Sequence, residues 1–229
     1  MPLLGFAHLA LIAAIAILAW AGAFACRRGI VPARPLRWAL GWALAVNELI
    51  WWVFRYSQEG LRFPVNLPLQ LCDLTVWVTV IACLTLAPWA VEFAYFAGIW
   101  AALFSILTPD LWTPWPSYPA IYFFIVHGGI LIASVVLVFG RIVRLRPGAP
   151  WRAFGILLAY ACVIGLFNAV FGSNYVYLCR KPVNPSFLDL MGPWPVYLVI
   201  AGAVTLALFW LLWLPLRRLS SIPARYPPR

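Results

Sequence analysis

Residues 118–140, YPAIYFFIVHGGILIASVVLVFG, form an apolar run that contains no Asp, Glu, Lys or Arg. A helix needs roughly 20 apolar residues to cross the hydrocarbon core of a bilayer, because it rises about 1.5 Å per residue. The run is long enough, and it therefore predicts a transmembrane helix. It also contains His127, one of the two histidines of the chain.

The rest of the chain repeats this pattern. Of its 229 residues, 65% are hydrophobic and 10% are charged, and a water-soluble domain of this length could not bury so much apolar surface. A tight turn at Pro88 is expected to separate the third apolar run from the fourth. The sequence predicts an all-α, polytopic membrane bundle in a single domain, with seven transmembrane helices near 3–25, 38–56, 68–87, 90–108, 118–140, 153–172 and 194–215.

The basic residues predict the orientation. Twelve of the 16 Lys and Arg residues follow the first, fifth or seventh segment, and the other four, Arg55, Arg62, Arg180 and Lys181, fall on the opposite side of a seven-pass arrangement. By the positive-inside rule, the N-terminus is outside, and residues 216–229 form a basic cytoplasmic tail of a multi-pass protein in the cell membrane. The net charge of +10 is explained by this distribution, so we expect no nucleic-acid partner. The oligomeric state is left open.

A signal peptide is the alternative interpretation of the first segment, because Ala-x-Ala at 23–25 resembles a cleavage site. However, no basic residue precedes the apolar run, and Arg27 and Arg28 follow it at once. This charge arrangement is the opposite of a secretory signal. We therefore expect a membrane helix.

The strongly polar residues of the predicted segments fall in the outer half of the membrane or near its midplane. Scattered polar residues would not segregate in this way, so we expect one polar cavity that is open toward the outer leaflet. Segments two, three, five and six would line it. The residues concerned are Glu48, Gln70, Cys72, Asp73, His127 and Asn168, with Asn174 and Tyr175 in the following outside loop.

Several of these residues also have a purely structural interpretation. Asp73 near a helix start can accept hydrogen bonds from the free N–H groups there. Asn168 and Asn174 can join helices by hydrogen bonds. Gly128 and Gly129 allow another helix to pack closely, which requires no chemistry.

His127 and Cys72 are the candidates for chemistry. An imidazole transfers protons near neutral pH, and an ionisable group inside a membrane segment is a functional candidate. A thiol near the first turn of a helix is favoured as the thiolate, and a thiolate paired with an imidazole can form a covalent acyl intermediate. Their comparable depth permits contact between them without showing it.

Four stretches of the sequence carry a family resemblance: NELIWW (47–52), LPLQLCDL (67–74), HGG (127–129) and GSNYVYLCRKPVNPSFLDLMGPWPVY (172–197). They resemble the YwaF-like integral membrane proteins of bacteria, over most of the chain. The vertebrate relatives are acyltransferases that remodel phospholipids, and they are thought to use a membrane-embedded cysteine and histidine. On this resemblance, Cys72 and His127 match the family pair, whereas Gln70 stands where many relatives have His.

The resulting hypothesis is acyl transfer on phospholipid or lysophospholipid, without a cofactor or metal. His127 acts as base toward Cys72, whose thiolate attacks an acyl ester, and the thioester is passed to a lysophospholipid. Gln70 and Asn168 are candidate donors to the oxyanion. Supporting or substrate-binding roles are expected for Glu48, Asp73, Asn174 and Tyr175.

Two other kinds of protein fit part of the pattern. A proton-coupled small-solute transporter would use Glu48 and His127, although the sequence has no detectable inverted repeat; a lipid-binding protein without enzymatic activity is the other non-catalytic possibility. A metal site from Glu48, Cys72, Asp73 and His127 has suitable ligand types, but spacing cannot establish it.

Overall fold

The computed structural model of this protein describes residues 4–109, 111, 113–182 and 186–219, and these residues are all-helical without a β-strand. Residues 220–229 of the predicted basic tail lie outside this description. Two short 3₁₀ segments, Tyr175–Tyr177 and Phe187–Met191, lie between the last two helices. The helices are α1 (Phe6–Arg28), α2 (Ala33–Glu59), α3 (Leu71–Thr85), α4 (Pro88–Leu107), α5 (Tyr118–Phe139), α6 (Ala149–Phe171) and α7 (Val196–Leu219).

Prolines set several of the helix starts. Pro88, Pro119 and Pro150 occupy the first or second position of α4, α5 and α6, where the missing N–H group would have no helical partner in any case. Leu86 and Ala87 alone join α3 to α4, which is the tight turn expected at Pro88.

Observed helix ends differ from the ends of the apolar runs. The second helix begins at Ala33 rather than near 38, because a helix can continue through Arg34 and Arg37, whereas an apolar run stops at charged residues. The third begins at Leu71 rather than near 68, because Gln70 precedes the first helical residue and forms a capping box with Asp73.

α4 and α5 form the centre of the bundle. In the most apolar stretch of α4 and of α5, 67% of the residues are buried. The corresponding share is 22% in α1 and 11% in α6 and α7. The outward side chains of the peripheral helices are apolar, as Phe6, Val163 and Val199 illustrate. Such surfaces suit contact with lipid.

A π-helical segment, Ala94–Gly98, interrupts α4. The wider turn leaves a carbonyl without its usual helical partner. Ser134 of α5 donates a hydrogen bond to the Ala94 carbonyl at 3.0 Å, and this contact fixes which face of α5 is turned toward α4.

Two adjacent glycines let α5 approach two different helices. A Cβ atom on Gly128 would lie 2.9 Å from the Ile15 side chain of α1, and one on Gly129 would lie 2.6 Å from Cδ2 of Leu44 in α2. Both distances are shorter than van der Waals contact. The expected role of this pair in close helix packing is therefore confirmed.

A buried ion cluster joins the start of α4 to the α5–α6 connection. Glu92 is 1% exposed, and its two carboxylate oxygens accept hydrogen bonds from the guanidinium groups of Arg146 and Arg152 at 2.8–2.9 Å. Each arginine binds the carboxylate with two nitrogens, which is the strong geometry for such a pair. The cluster pins the loop to the helical core.

Five helices are long and apolar enough to cross a membrane: α1, α4, α5, α6 and α7. The other two do not meet that description. α2 carries several charged residues, and the 15 residues of α3 span only about 22 Å at 1.5 Å per residue. The protein is thus a multi-pass helical membrane protein, while the count of seven crossings and their orientation stay predictions.

The Gly129→Ala substitution should destabilise the bundle, because the added methyl group collides with Leu44. We expect the free energy of unfolding to fall by about 1–3 kcal/mol, measured by denaturant unfolding in detergent. Gly155→Ala in α6 is the matched control, since nothing lies within 4 Å of its added Cβ, and it should be neutral or slightly stabilising. Equal effects of the two substitutions would contradict the packing argument.

Candidate functional site

Glu48 carries a carboxylate buried between α2 and α5, with no exposed surface. The Trp52 indole N–H donates to Oε1 and the Tyr122 hydroxyl donates to Oε2, both at 2.7 Å. Trp52 lies one turn away on the same helix, whereas Tyr122 belongs to α5. The ring of Trp51 stacks on that of Tyr122 with centroids 4.2 Å apart. The contacts fix the rotation of α2 against α5.

Cys72 and Asp73 lie in the first turn of α3, beside this carboxylate. Asp73 Oδ2 accepts a hydrogen bond from the Gln70 backbone N–H at 2.8 Å, which is the helix-start role expected of it. Cys72 is half-buried, and its thiol interacts electrostatically with the Asp73 and Glu48 carboxylates. Three side chains predicted for the site therefore lie within electrostatic range of one another.

Two tyrosines complete the group. The phenols of Tyr122 and Tyr160 both interact electrostatically with Cys72 and Asp73. The Tyr160 hydroxyl, on α6, donates to the Leu69 carbonyl at 2.9 Å and so holds the residues before α3. We call Glu48, Cys72, Asp73, Tyr122 and Tyr160 the thiol cluster.

His127 belongs to a different set of contacts. It is buried on α5, with Nδ1 2.7 Å from the Phe123 carbonyl and its ring centroid 4.3 Å from that of Phe123. At 3.6 residues per turn, His127 points roughly 140° around α5 from Tyr122. It shares a face with Ser134, which contacts α4. Cys72 and His127 thus have different interaction partners among the described residues, and their pairing stays a prediction.

The Phe123 contact has one chemical consequence for His127. A carbonyl oxygen only accepts hydrogen bonds, so Nδ1 must be the protonated nitrogen of the neutral ring. Nε2 then keeps its lone pair and is the nitrogen able to accept a proton. The imidazole is therefore held in the tautomer that a general base requires.

Tyr175 anchors the long α6–α7 connection to the α2–α3 connection. Its hydroxyl donates to the Pro64 carbonyl at 2.6 Å and accepts from the Leu67 N–H at 2.8 Å. Asn168 bonds both the N–H and the carbonyl of Tyr175 at 2.9 Å. Burial raises the pKa of the Tyr175 phenol, so the hydroxyl remains neutral and able to donate. Tyr175 and Asn168 thus hold two loops together.

Gln70 and Asn174 also bond to loop backbone. Gln70 Oε1 accepts from the Val176 N–H at 3.1 Å, and Asn174 Oδ1 accepts from the N–H groups of Cys179 and Arg180 at 3.1 Å. Both were predicted as supporting or substrate-binding residues. In the structure, the side-chain amide groups of Gln70 and Asn174 bond to the backbone of the loop, and Asn174 lies in an exposed turn.

An apolar groove is formed by residues of α3, α4, α6 and α7. It has a volume of about 180 Å³ and lies between α4, α6 and α7. Leu71, the neighbour of Cys72 in the chain, lines one end, and Thr205 is the one hydroxyl-bearing residue of its wall. The remaining lining residues are Ala97, Trp100, Ala101, Phe104, Leu157, Leu208 and Phe209.

Among residues 4–109, 111, 113–182 and 186–219, no group of three or more His, Cys, Asp and Glu side chains could hold a metal ion. The alternative of a metal site formed by Glu48, Cys72, Asp73 and His127 therefore has no support in the arrangement of these side chains.

Sequence reasoning missed the aromatic residues around the Glu48 carboxylate and the Cys72 thiol. Trp52 could have been found, because it lies four residues after Glu48 and so shares its helix face. Tyr122 and Tyr160 come from other helices, and no spacing in the sequence relates them to Cys72.

The fold and this site define the class: a multi-pass helical membrane protein with a polar cluster around a thiol. The chain belongs to the TMEM164 family, whose family model matches residues 3–213. No curated protein and no solved structure matches the chain.

Replacing Tyr122 by Phe should destabilise the protein, because one oxygen of the buried Glu48 carboxylate would lose its hydrogen bond. We expect a loss of about 1–3 kcal/mol, read from the unfolding midpoint in detergent. Tyr118→Phe is the matched control one turn earlier on α5. Among the described residues, the buried Tyr118 hydroxyl has no hydrogen-bond partner, so its removal should cost nothing. A larger loss for Tyr118→Phe would refute the role given to Glu48.

Proposed function

We propose that this protein moves acyl chains between phospholipids through a thioester on Cys72. The observation that carries the proposal is the setting of Cys72, a half-buried thiol in the first turn of α3 that belongs to the polar thiol cluster and whose chain neighbour Leu71 lines the apolar groove. A lipid ester has the same two parts, a polar head and an apolar chain. The resemblance of LPLQLCDL (67–74) to YwaF-like proteins supports the same chemistry.

The reaction has two steps. The Cys72 thiolate attacks the ester carbonyl of a phospholipid; an S–C bond forms, the C–O bond breaks, and the lysophospholipid leaves with a proton. The hydroxyl of a second lysophospholipid then attacks the thioester, which returns the thiol. Splitting one exchange into two easier steps is the usual advantage of a covalent intermediate.

The thiol proton requires an acceptor. His127 is the base that the resemblance implies, and its free Nε2 suits that role. Asp73 is the second candidate, because its carboxylate lies near enough to the thiol to influence it electrostatically. The carboxylates of Asp73 and Glu48 also oppose a negative charge on sulfur, so proton removal would coincide with attack on the ester.

The apolar groove is the proposed seat of the acyl chain. Its volume of about 180 Å³ is below the roughly 300–1,000 Å³ of pockets that enclose whole ligands. It would therefore hold part of a chain, while the remainder lies in the bilayer. Ala97 and Ala101, one turn apart on α4, keep the wall open.

Cys72→Ala should abolish acyl exchange between labelled phospholipid and lysophospholipid in reconstituted vesicles, with a loss of at least about 100-fold. Cys162→Ala, at an exposed free cysteine of α6, is the control and should retain full activity. If Cys72→Ala also retains full exchange, the covalent mechanism is wrong, and a transporter or a lipid-binding protein becomes the better interpretation.

The base is identified by two further substitutions in the same assay. If His127 accepts the proton, His127→Ala lowers the rate by about 10²–10⁴-fold while Asp73→Asn has a smaller effect. The reverse order would assign the proton to Asp73. Circular dichroism of both variants checks that the helices remain folded.

Ala101→Phe should shift the preference of the enzyme toward shorter acyl chains, because the added ring fills the groove. We expect the ratio of short-chain to long-chain exchange rates to rise by about 10-fold or more, as one or two lost methylene contacts would give. Ala207→Phe adds the same ring at an exposed position of α7 and should leave the ratio unchanged. An unchanged ratio in Ala101→Phe would place the chain elsewhere.

A further inference from the structure

Three arginines converge on a concave surface at the opposite end of the bundle from the thiol cluster. Arg27 and Arg28 end α1, and Arg141 follows α5. Together with Phe24 they line a cavity of about 530 Å³. We call these four residues the arginine pocket.

The pocket lies where α1 and α5 are in direct contact. A Cβ atom on Gly22 would lie 2.9 Å from Val136, and one on Gly140 would lie 3.2 Å from the Cys26 Cβ. The arginine side chains therefore project from two helix ends whose separation is fixed by packing.

No carboxylate of the described residues forms a salt bridge with Arg27, Arg28 or Arg141. Glu92 lies at the same end of the bundle, but its carboxylate is already bound by Arg146 and Arg152. Three guanidinium groups around one space repel each other. An anion from outside the chain would remove that repulsion.

Arg141 provides a second, independent observation. Its Nε is buried, and among the described residues no group accepts a hydrogen bond from it. Its backbone is in the left-handed region, with φ at 57°, which is unfavourable for a residue other than glycine. An unpaired buried donor is unfavourable as well. A negative charge in the cavity would stabilise the guanidinium group that carries this unpaired donor.

We propose that the arginine pocket binds the phosphate group of an anionic phospholipid. Guanidinium groups bind phosphate oxygens through paired N–H donors. Phe24 is 54% exposed and lies beside the cations, with Arg28 5.3 Å from its ring centroid. An aromatic wall next to a phosphate site suits a lipid, which continues into an apolar chain. Basic pockets between membrane helices bind anionic headgroups in this way.

The test is a titration of the full chain in neutral detergent with phosphatidylglycerol or phosphatidylcholine, followed by native mass spectrometry. Phosphatidylglycerol should bind more tightly than phosphatidylcholine. Arg141→Gln should raise its Kd by about 10-fold, the effect of losing one charge-assisted hydrogen bond. Arg144→Gln removes the same charge from an exposed position of the same connection and should change the Kd by less than about 2-fold.

Three results would overturn the proposal. Equal losses in Arg141→Gln and Arg144→Gln would show general attraction to the basic surface. Displacement of the lipid by inorganic phosphate at equal concentration would show a site for free phosphate. Equal binding of the two lipids would show no recognition of the anion. If Arg141→Gln does not fold, Arg27→Gln is measured against the same control, with the same expected loss.

Discussion

A carboxylate buried among apolar helices is stable only when its oxygens are paired, and Glu48 imposes this condition on the whole bundle. One donor, Trp52, comes from its own helix, but the other, Tyr122, requires α5 to present one particular face to α2. The close contact between Leu44 and Gly129 lies on that same side of α5. The start of α3 then lies next to Glu48, and the thiol cluster forms around it.

The two ends of the bundle are held by different chemistry. At the end with the thiol cluster, neutral groups of Tyr175, Asn168 and Gln70 join the loops by hydrogen bonds. At the basic end, Glu92 binds two arginines. The ion pairs described at the thiol-cluster end, Arg55–Glu59 and Lys181–Asp189, involve more exposed carboxylates than that of Glu92.

Helix number, the turn at Pro88 and the packing of Gly128 and Gly129 could be predicted, because each depends on residues close together in the sequence. The rotation of the helices could not. α5 is apolar on all sides, so its periodicity does not reveal which face turns toward which neighbour. For this reason the pairing of Cys72 with His127 rests on equal depth alone and stays a prediction, while Asp73, Glu48 and two tyrosines are the groups that interact electrostatically with Cys72.

The outer loops show a second limit of the sequence. Tyr175 and Asn168 were expected to line the site or its entrance, which stays a prediction, and the structure shows that they also satisfy buried loop backbone. A buried backbone group needs a partner, but the path of the loop decides which side chain supplies it. Hydrophobic patterning does not specify that path.

The most direct test of the account is to trap the covalent intermediate. The purified protein is incubated with a phospholipid, quenched in acid and digested, and its peptides are mapped by mass spectrometry. The account predicts one acyl adduct, on the peptide containing Cys72, which neutral hydroxylamine removes as expected for a thioester. An adduct confined to another cysteine, or acyl exchange that proceeds with Cys72 unmodified throughout, would contradict it.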